Sequence, residues 1–478
     1  MRGCNGSLTV TVPGKKKSQY GFKDRVTPIL TTGQGLNEAV IRQISAAKHE
    51  PEWMLRFRLR AYATYRKLPL PQFGPDLSAL DFEKINYFRR DTSRPVRRWE
   101  DVPAQIKETF ERLGVPQAER QYLAGSSAQY ESEVVYHHVQ EELAQQGVVF
   151  MAMDTAVQRY PKLVRQYFGT LVPPNDNKMA ALNSAAWSGG TFIYVPPHVR
   201  CTVPLQSYFR INAGNSGQFE RTLIIVDEGA QVNYVEGCTA PNYSADSLHA
   251  AVVEVFVKPH ATCRYTTIQN WSDNVYSLET KRAQAFEQAT MEWVDGNLGS
   301  KVTMKYPSVY LDGPGARGTM LSVAFAGSDS HGNGIISDTG ARMIHRAPQT
   351  SSTIVSKSLC KNGGHADYRG EVRMTPAATG AFAHVECDTL ILDDHSGSDT
   401  LPVNTVQQAA DAQIEHEAKV SKVSAAQLFY LMSRGLTEKQ ATEMIVMGFL
   451  TPFTKELPME YAVELNRLIE YQMDGAVG

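Results

Sequence analysis

Two sets of residues in this sequence have side chains suited to chemistry with sulfur and metals. The first is Cys238, which follows QFERTLIIVDEGAQVNYVEG, where Thr222 to Val226 and Val232 to Val235 read as short strands joined by an Asp227-Glu228-Gly229 turn. This places Cys238 just past a strand end, between Gly237 and Thr239 and ahead of Pro241, where a thiol is approachable. Packing is the competing role, because free cysteine is among the most buried residue types. The second set is Cys360, His365, His384, Glu386, Cys387, Asp388 and Glu415-His416-Glu417. Thiolate, imidazole and carboxylate together suit iron or zinc. In an extended chain His384, Glu386 and Asp388 share one face and Val385 and Cys387 the other, while Glu415 and Glu417 face away from His416. Cys387 and His384 cannot then ligate together without a bend.

The remaining cysteines read as packing or surface thiols: Cys201, Cys263 and Cys360 in the body, and Cys4 in a polar tail. Six cysteines without a CxxC pair suit free thiols in a reducing cytoplasm and argue against a self-contained four-cysteine zinc or cluster site. A net charge of -2 supplies no basic field for nucleic acid or anionic lipid. The start lacks a signal-peptide core and no run approaches a membrane span, so the expected location is the cytoplasm. GxxxxGK[ST], GxGxxG after a strand, HExxH and GxSxG are all missing, which predicts that this chain does not itself hydrolyse nucleotide.

The elements that must carry these residues fall into blocks. Residues 1–30, with the basic run Gly14-Lys15-Lys16-Lys17, read as a tail. Residues 31–170 read as helical: Pro51 divides the periodic stretch from Leu36 into two helices, and Asp101 to Leu113, Ser132 to Gln146 and Asp154 to Phe168 repeat the three- and four-residue apolar spacing. Residues 67–100 read as an irregular connection. His137 and His138, adjacent on the second of those three helices, point about 100° apart and make a poor joint metal site. From 171 to 410 strand signal dominates, in runs such as Leu205 to Ile211, Ala250 to Val257, Cys263 to Ile268, Val302 to Leu311 and Met320 to Phe325. No strict repeat is visible; a sandwich, a barrel and a β-solenoid all fit, and the run of strands without helices favours stacked coils. Residues 411–478 turn helical, with capping patterns at Ser424…Gln427 and Thr437…Gln440 and a last amphipathic helix over Met459 to Met473.

Taken together, KHEPEWMLRFRLRAY (48–62), YFRINAGNSGQFERT (208–222), YVEGCTAP (234–241), TIQNW (267–271), HVECD (384–388) and IEHEA (414–418) closely resemble the SufB/SufD family of iron–sulfur cluster assembly proteins, and within it the SufB branch. The resemblance covers essentially the whole chain after the tail. It implies a mainly β fold, a right-handed parallel β-helix core flanked by α-helical N- and C-terminal regions. It also implies a scaffold, not an enzyme, that pairs with SufD through the β-helix ends and with the ATPase SufC through the C-terminal helices. A cysteine desulfurase with its sulfur-transfer partner would supply sulfur, and recipient apoproteins would take the product. Residue by residue, Cys238 matches the cysteine that accepts sulfur as a persulfide, and Cys387 the one that holds the nascent, transient cluster. Glu417, with Glu415 and His416, matches the acidic segment implicated in assembly, and Arg210, Asn212, Thr267 and Lys281 match the polar lining of the route between the two cysteines. Arg210 or Lys281 would favour the thiolate. The family's complexes can carry a reduced flavin, but no flavin motif is legible here. The alternatives are a purely structural SufD-like subunit and a carbohydrate-active β-helix enzyme, which needs a cluster of charged groups in a groove.

Overall fold

The structure is a computed structural model that describes residues 28–90, 125–139, 141–241, 243–455 and 457, with single positions 462, 466 and 469 beyond. Its organising feature is a turn that recurs every 27 to 34 residues. His198, Gly229, His260, Gln288, Gly315, Gln349, Gly380 and Asp411 each adopt a left-handed backbone, with φ between 54° and 69°. The N–H groups of Gly229, His260, Gln288, Gly315, Gln349 and Gly380 donate to a carbonyl of the next turn (Pro259, Glu287, Pro314, Pro348, Thr379 and Ala410) at 2.8 to 3.0 Å. Stacked turns therefore lock coil onto coil, because each satisfies a backbone donor that the bend would otherwise leave unpaired.

Between turns the chain alternates between two parallel sheets, giving a parallel β-helix of about seven turns. The first sheet stacks Leu205–Arg210, Gln231–Thr239, Thr262–Trp271, Thr290–Gly299, Arg317–Ala326, Ser351–Cys360, Phe382–Ile391 and Gln413–Lys422. The second stacks Arg221–Val226, Val252–Val257, Val275–Ala285, the pair Val302–Lys305 and Ser308–Leu311, Ile336–His345, His365–Met374 and Thr400–Val406. Register turns sequence into rows of like-facing side chains. One inward row reads Tyr234, Tyr265, Trp293, Met320, Ile354, Val385 and His416, apolar until its last member. Ring contacts of 4.9 Å (Tyr234 to Tyr265) and 5.1 Å (Tyr265 to Trp293) knit its start.

Helices close the flanks. Glu38–Ala47, capped by the Asn37 side chain accepting from the Val40 N–H, and Glu52–Lys67, beginning after Pro51, match the two helices read on either side of that proline. At the other end Glu438–Thr454 starts in the expected capping box and lays Val446, Leu450 and Phe453 against Leu321 and Leu359 on the outside of the first sheet. No helix among the described residues is long and apolar enough to cross a membrane.

Several expectations are corrected. The helix read over Ser132 to Gln146 is instead the second strand of a hairpin, Gly125–Tyr130 with Glu133–Val139, followed by the short helix Glu141–Gln145. The hairpin extends the first sheet beyond Leu205–Arg210, and that tertiary pairing overrides the helical spacing. His137 and His138 thus lie on a strand. Val302 to Leu311 is two strands, divided where Pro307 lacks a ladder N–H. Strand Gln413–Lys422 extends the coil stack past 410, so the C-terminal helices begin only at Ala425. The expected helix over Asp101 to Leu113, nearly all of the tail and most of Met459 to Met473 lie outside the described residues.

Candidate functional site

The inward row adjacent to the aromatic one is polar. Through successive coils it reads Ser207, Glu236, Thr267, Asp295, Ser322, Ser356 and Cys387, all buried. Cys238 lies two residues beyond Glu236 on the same strand and face, so one row leads from beside Cys238 to Cys387. The five steps from Glu236 to Cys387 span roughly 24 Å at the usual strand spacing. From the second sheet the row Glu279, Lys305, Thr339 and Tyr368 faces it. Ion pairs bridge the two rows: Lys305 to Asp295 at 3.3 Å, and Lys281, two residues from Glu279, to Asp295 at 3.7 Å and Glu236 at 4.0 Å. Buried Thr339 Oγ1 and Tyr368 OH have no hydrogen-bond partner among the described residues. Buried polar atoms left unmatched cost more than an apolar core would, which marks this interior as the candidate site.

Cys238 sits inside strand Gln231–Thr239, not past its end, and is fully buried, which corrects the expectation of an approachable thiol. Its Sγ contacts Glu236 Oε1 at 3.8 Å. Burial first, then the carboxylates of Glu236, Glu220 and Glu279, push the thiol well above its ordinary range, with Lys281 opposing. Burial alone would lower the Lys281 ammonium, but Asp295, Glu279 and Glu236 raise it above normal. Thr267 Oγ1 accepts from Lys281 Nζ at 2.6 Å. Thus Thr267 and Lys281 belong to the Cys238 chamber.

Arg210 and Asn212 are placed differently. Arg210 is in register with Thr239 and donates to its Oγ1 at 3.2 Å, on the strand face away from Cys238. The backbone N–H of Asn212 donates to Glu131 Oε1 at 2.6 Å, tying the segment to the hairpin.

At the far end Cys387 Sγ lies 3.2 Å from His416 Nε2 on the inner side. Asn404 Nδ2 is 3.1 Å from His416 Nδ1; with the amide donating, the ring proton sits on Nε2, facing the sulfur. Burial, then Asp388 and Glu386, push the Cys387 thiol up to about 12, while burial lowers the His416 imidazole. Glu415 faces outward and meets His384 at 3.3 Å, and exposed Glu417 lies in register beside Glu386. Cys387 and His416 therefore converge as a thiol–imidazole pair, and Glu415 and Glu417 do not join them. Among the described residues the one His/Cys/Asp/Glu group whose ligand atoms all lie within 4.8 Å is His365, Asp367 and Asp399, on the outer wall behind Tyr368. Cys201, Cys263 and Cys360 are buried in apolar clusters, as packing thiols are.

The sequence reading missed Glu220, Glu236, His249, Glu279, Asp295 and Lys305. Charge alone did not mark them, because strands of this fold also carry charged residues outward, as Glu415 shows; the stacking of coils is what turns these six inward.

A parallel β-helix with a polar, ion-paired interior row ending in a thiol–imidazole pair is the class of protein that fold and site define. The SufBD core-domain model of SUF-system iron–sulfur cluster assembly matches residues 209–449, and the SufBD N-terminal region model matches residues 41–207. An iron–sulfur cluster assembly SufBD family protein of Staphylococcus saprophyticus is 59% identical over 460 residues, covering 96% of this chain and 98% of the relative. A Staphylococcus aureus relative of the same description is 58% identical over the same coverage. The chain belongs to the SufB/SufD family of iron–sulfur cluster assembly proteins.

Proposed function

We propose that this chain is a SufB-type scaffold, on which clusters are assembled from persulfide sulfur and iron and then passed to apoproteins, in a cytoplasmic complex with SufC and SufD. The observation that carries the reading is the continuous polar row from the Cys238 chamber to the Cys387–His416 pair. Sulfur accepted at Cys238 would travel along this buried polar row toward the thiol that receives it. Cys387 and His416 offer iron two donors from this chain, so a cluster of ordinary coordination must gain further ligands across a subunit boundary. A site completed by a partner is one that can release its cargo. Helix Ala425–Ser433 buries none of its residues and presents Phe429, Tyr430 and Met432 to solvent, a face suited to docking the ATPase.

The test is anaerobic iron and acid-labile sulfide content, with visible absorbance, of the protein co-purified with SufC and SufD and loaded by a cysteine desulfurase and its sulfur-transfer partner. The wild type should carry both iron and sulfide and Cys387→Ala neither. Equal content in the two would overturn the site. A harmless Cys238→Ala would instead favour a structural, SufD-like subunit, and indifference to both substitutions would point to the carbohydrate-active class.

A further inference from the structure

The thiol of Cys238 faces an acid–base problem that its surroundings also answer. It is fully buried and its ionisation is opposed by burial and by three carboxylates, yet only a thiolate attacks a persulfide. Among the described residues the hydrogen-bond partner in contact with its sulfur is Glu236 Oε1, at 3.8 Å. We propose that Glu236 is the proton acceptor that generates the Cys238 thiolate. This rests on the reading of Cys238 as the sulfur acceptor.

Glu236 is held for that task from every side. Tyr265, one coil on, donates its hydroxyl to Oε2 at 2.5 Å, which leaves Oε1 turned toward the sulfur. From the second sheet Lys281 approaches Oε1 at 4.0 Å, with Glu279 at 3.3 Å from the same ammonium; Glu220 and Lys305 complete the charged groups facing it, and Tyr234 precedes it on its own strand face. Behind them His249 lies 3.6 Å from Glu279 and 3.9 Å from Glu220, with neither ring nitrogen hydrogen-bonded among the described residues. The chamber thus holds carboxylates at short range with too few cations to ionise them all. Burial, partly offset by Lys281, raises the Glu236 carboxyl above its ordinary range, which makes its carboxylate a stronger base than an exposed one.

The step balances without an oxidant. The Cys238 thiol gives its proton to Glu236; the thiolate attacks the outer sulfur of a donor persulfide, R–S–SH. The donor S–S bond breaks with its electron pair leaving on R–S⁻, a new S–S bond forms on Cys238, and the Glu236 proton passes to the leaving thiolate. The products are a Cys238 persulfide and R–SH. Glu236 is then a carboxylate again.

The experiment uses the full chain and inorganic polysulfide as the sulfur probe, with persulfide at Cys238 trapped by alkylation and quantified by peptide mass spectrometry from pH 6 to 10. Wild type should load across neutral pH. Glu236→Gln, close in shape and checked for folding by circular dichroism, should load about a hundred-fold more slowly at pH 7 and recover as hydroxide replaces the missing base, with partial rescue by Glu236→Asp. Tyr265→Phe removes a donor that stabilises the carboxylate, so the acid limb of its profile should move up by about one pH unit. A Glu236→Gln rate and profile matching wild type, or an unmoved acid limb in Tyr265→Phe, overturns the acceptor role. If wild type never carries sulfur at Cys238 while Cys238→Ser loads normally elsewhere, it is the sulfur-acceptor reading that falls.

Discussion

The two cysteines at the ends of the polar row live in opposite surroundings. Around Cys238 the β-helix is closed: Glu220, Glu236, His249, Glu279, Lys281, Asp295 and Lys305 are all sealed from solvent, with two lysines set among four carboxyl groups. Around Cys387 the solenoid is ending. The strands Thr400–Val406 and Gln413–Lys422 form its last turn, with Leu401, Val403, Val406 and Val420 exposed and His416 only partly covered. The first region must hold charge without water and so shares its lysines among several carboxyl groups. The second has spare backbone edge and apolar surface, which an added partner can cover. Burial in one place and incompleteness in the other separate a thiol that is protected from a thiol that is shared.

The contrast is most easily broken by removing a buried charge. Lys281→Met leaves Asp295 and Glu279 short of a cation and should cost about 3 to 5 kcal/mol in urea unfolding. A loss under 1 kcal/mol would mean that the chamber is wetter than its geometry implies. The next effect is on acid stability. Burial lowers His249 to about 4 and, near the middle of the stack, His345 to about 4. Unfolded histidine binds its proton near pH 6.5, so between pH 6.5 and 4 the unfolded state holds more protons and stability falls as pH falls. Each histidine contributes up to about 3 kcal/mol across that window. Unfolding free energies at pH 7 and pH 4.5 should therefore converge in His249→Gln relative to wild type, whereas His416→Gln should change the slope far less.

Thiol reactivity sharpens the comparison on a smaller scale. At pH 8 iodoacetamide should modify Cys387 about ten-fold faster than Cys238 in the isolated chain, read by peptide mapping. Addition of the partner that covers the last turn should abolish the difference by protecting Cys387. The smallest effect belongs to the outer wall at the open end: Glu415→Gln removes the contact with His384 and should leave the unfolding midpoint unchanged, because exposed ion pairs contribute little. A clear shift would assign Glu415 a structural role that its outward position does not suggest.

Much of this was legible along the chain. The strand block, the helical ends, the Pro51 break, the capping box at Thr437 and the alternation that separates Cys387 from His384 follow from local rules of spacing and backbone chemistry, and the family could be read from short segments. The coil period was not legible, because the left-handed turns that mark it carry glycine in some coils and His260, Gln288 or Gln349 in others, so no residue type repeats with it. What local rules could not supply was register. It is register that sets Glu236 above Thr267 and Asp295, brings His416 across from the next coil to Cys387, turns Arg210 away from Cys238 and seals the Cys238 thiol indoors. A sequence determines which side chains alternate along each strand; stacking against coils some thirty residues away decides which of them meet, because the hydrogen bonds that fix that stacking belong to the whole ladder and to no segment of it.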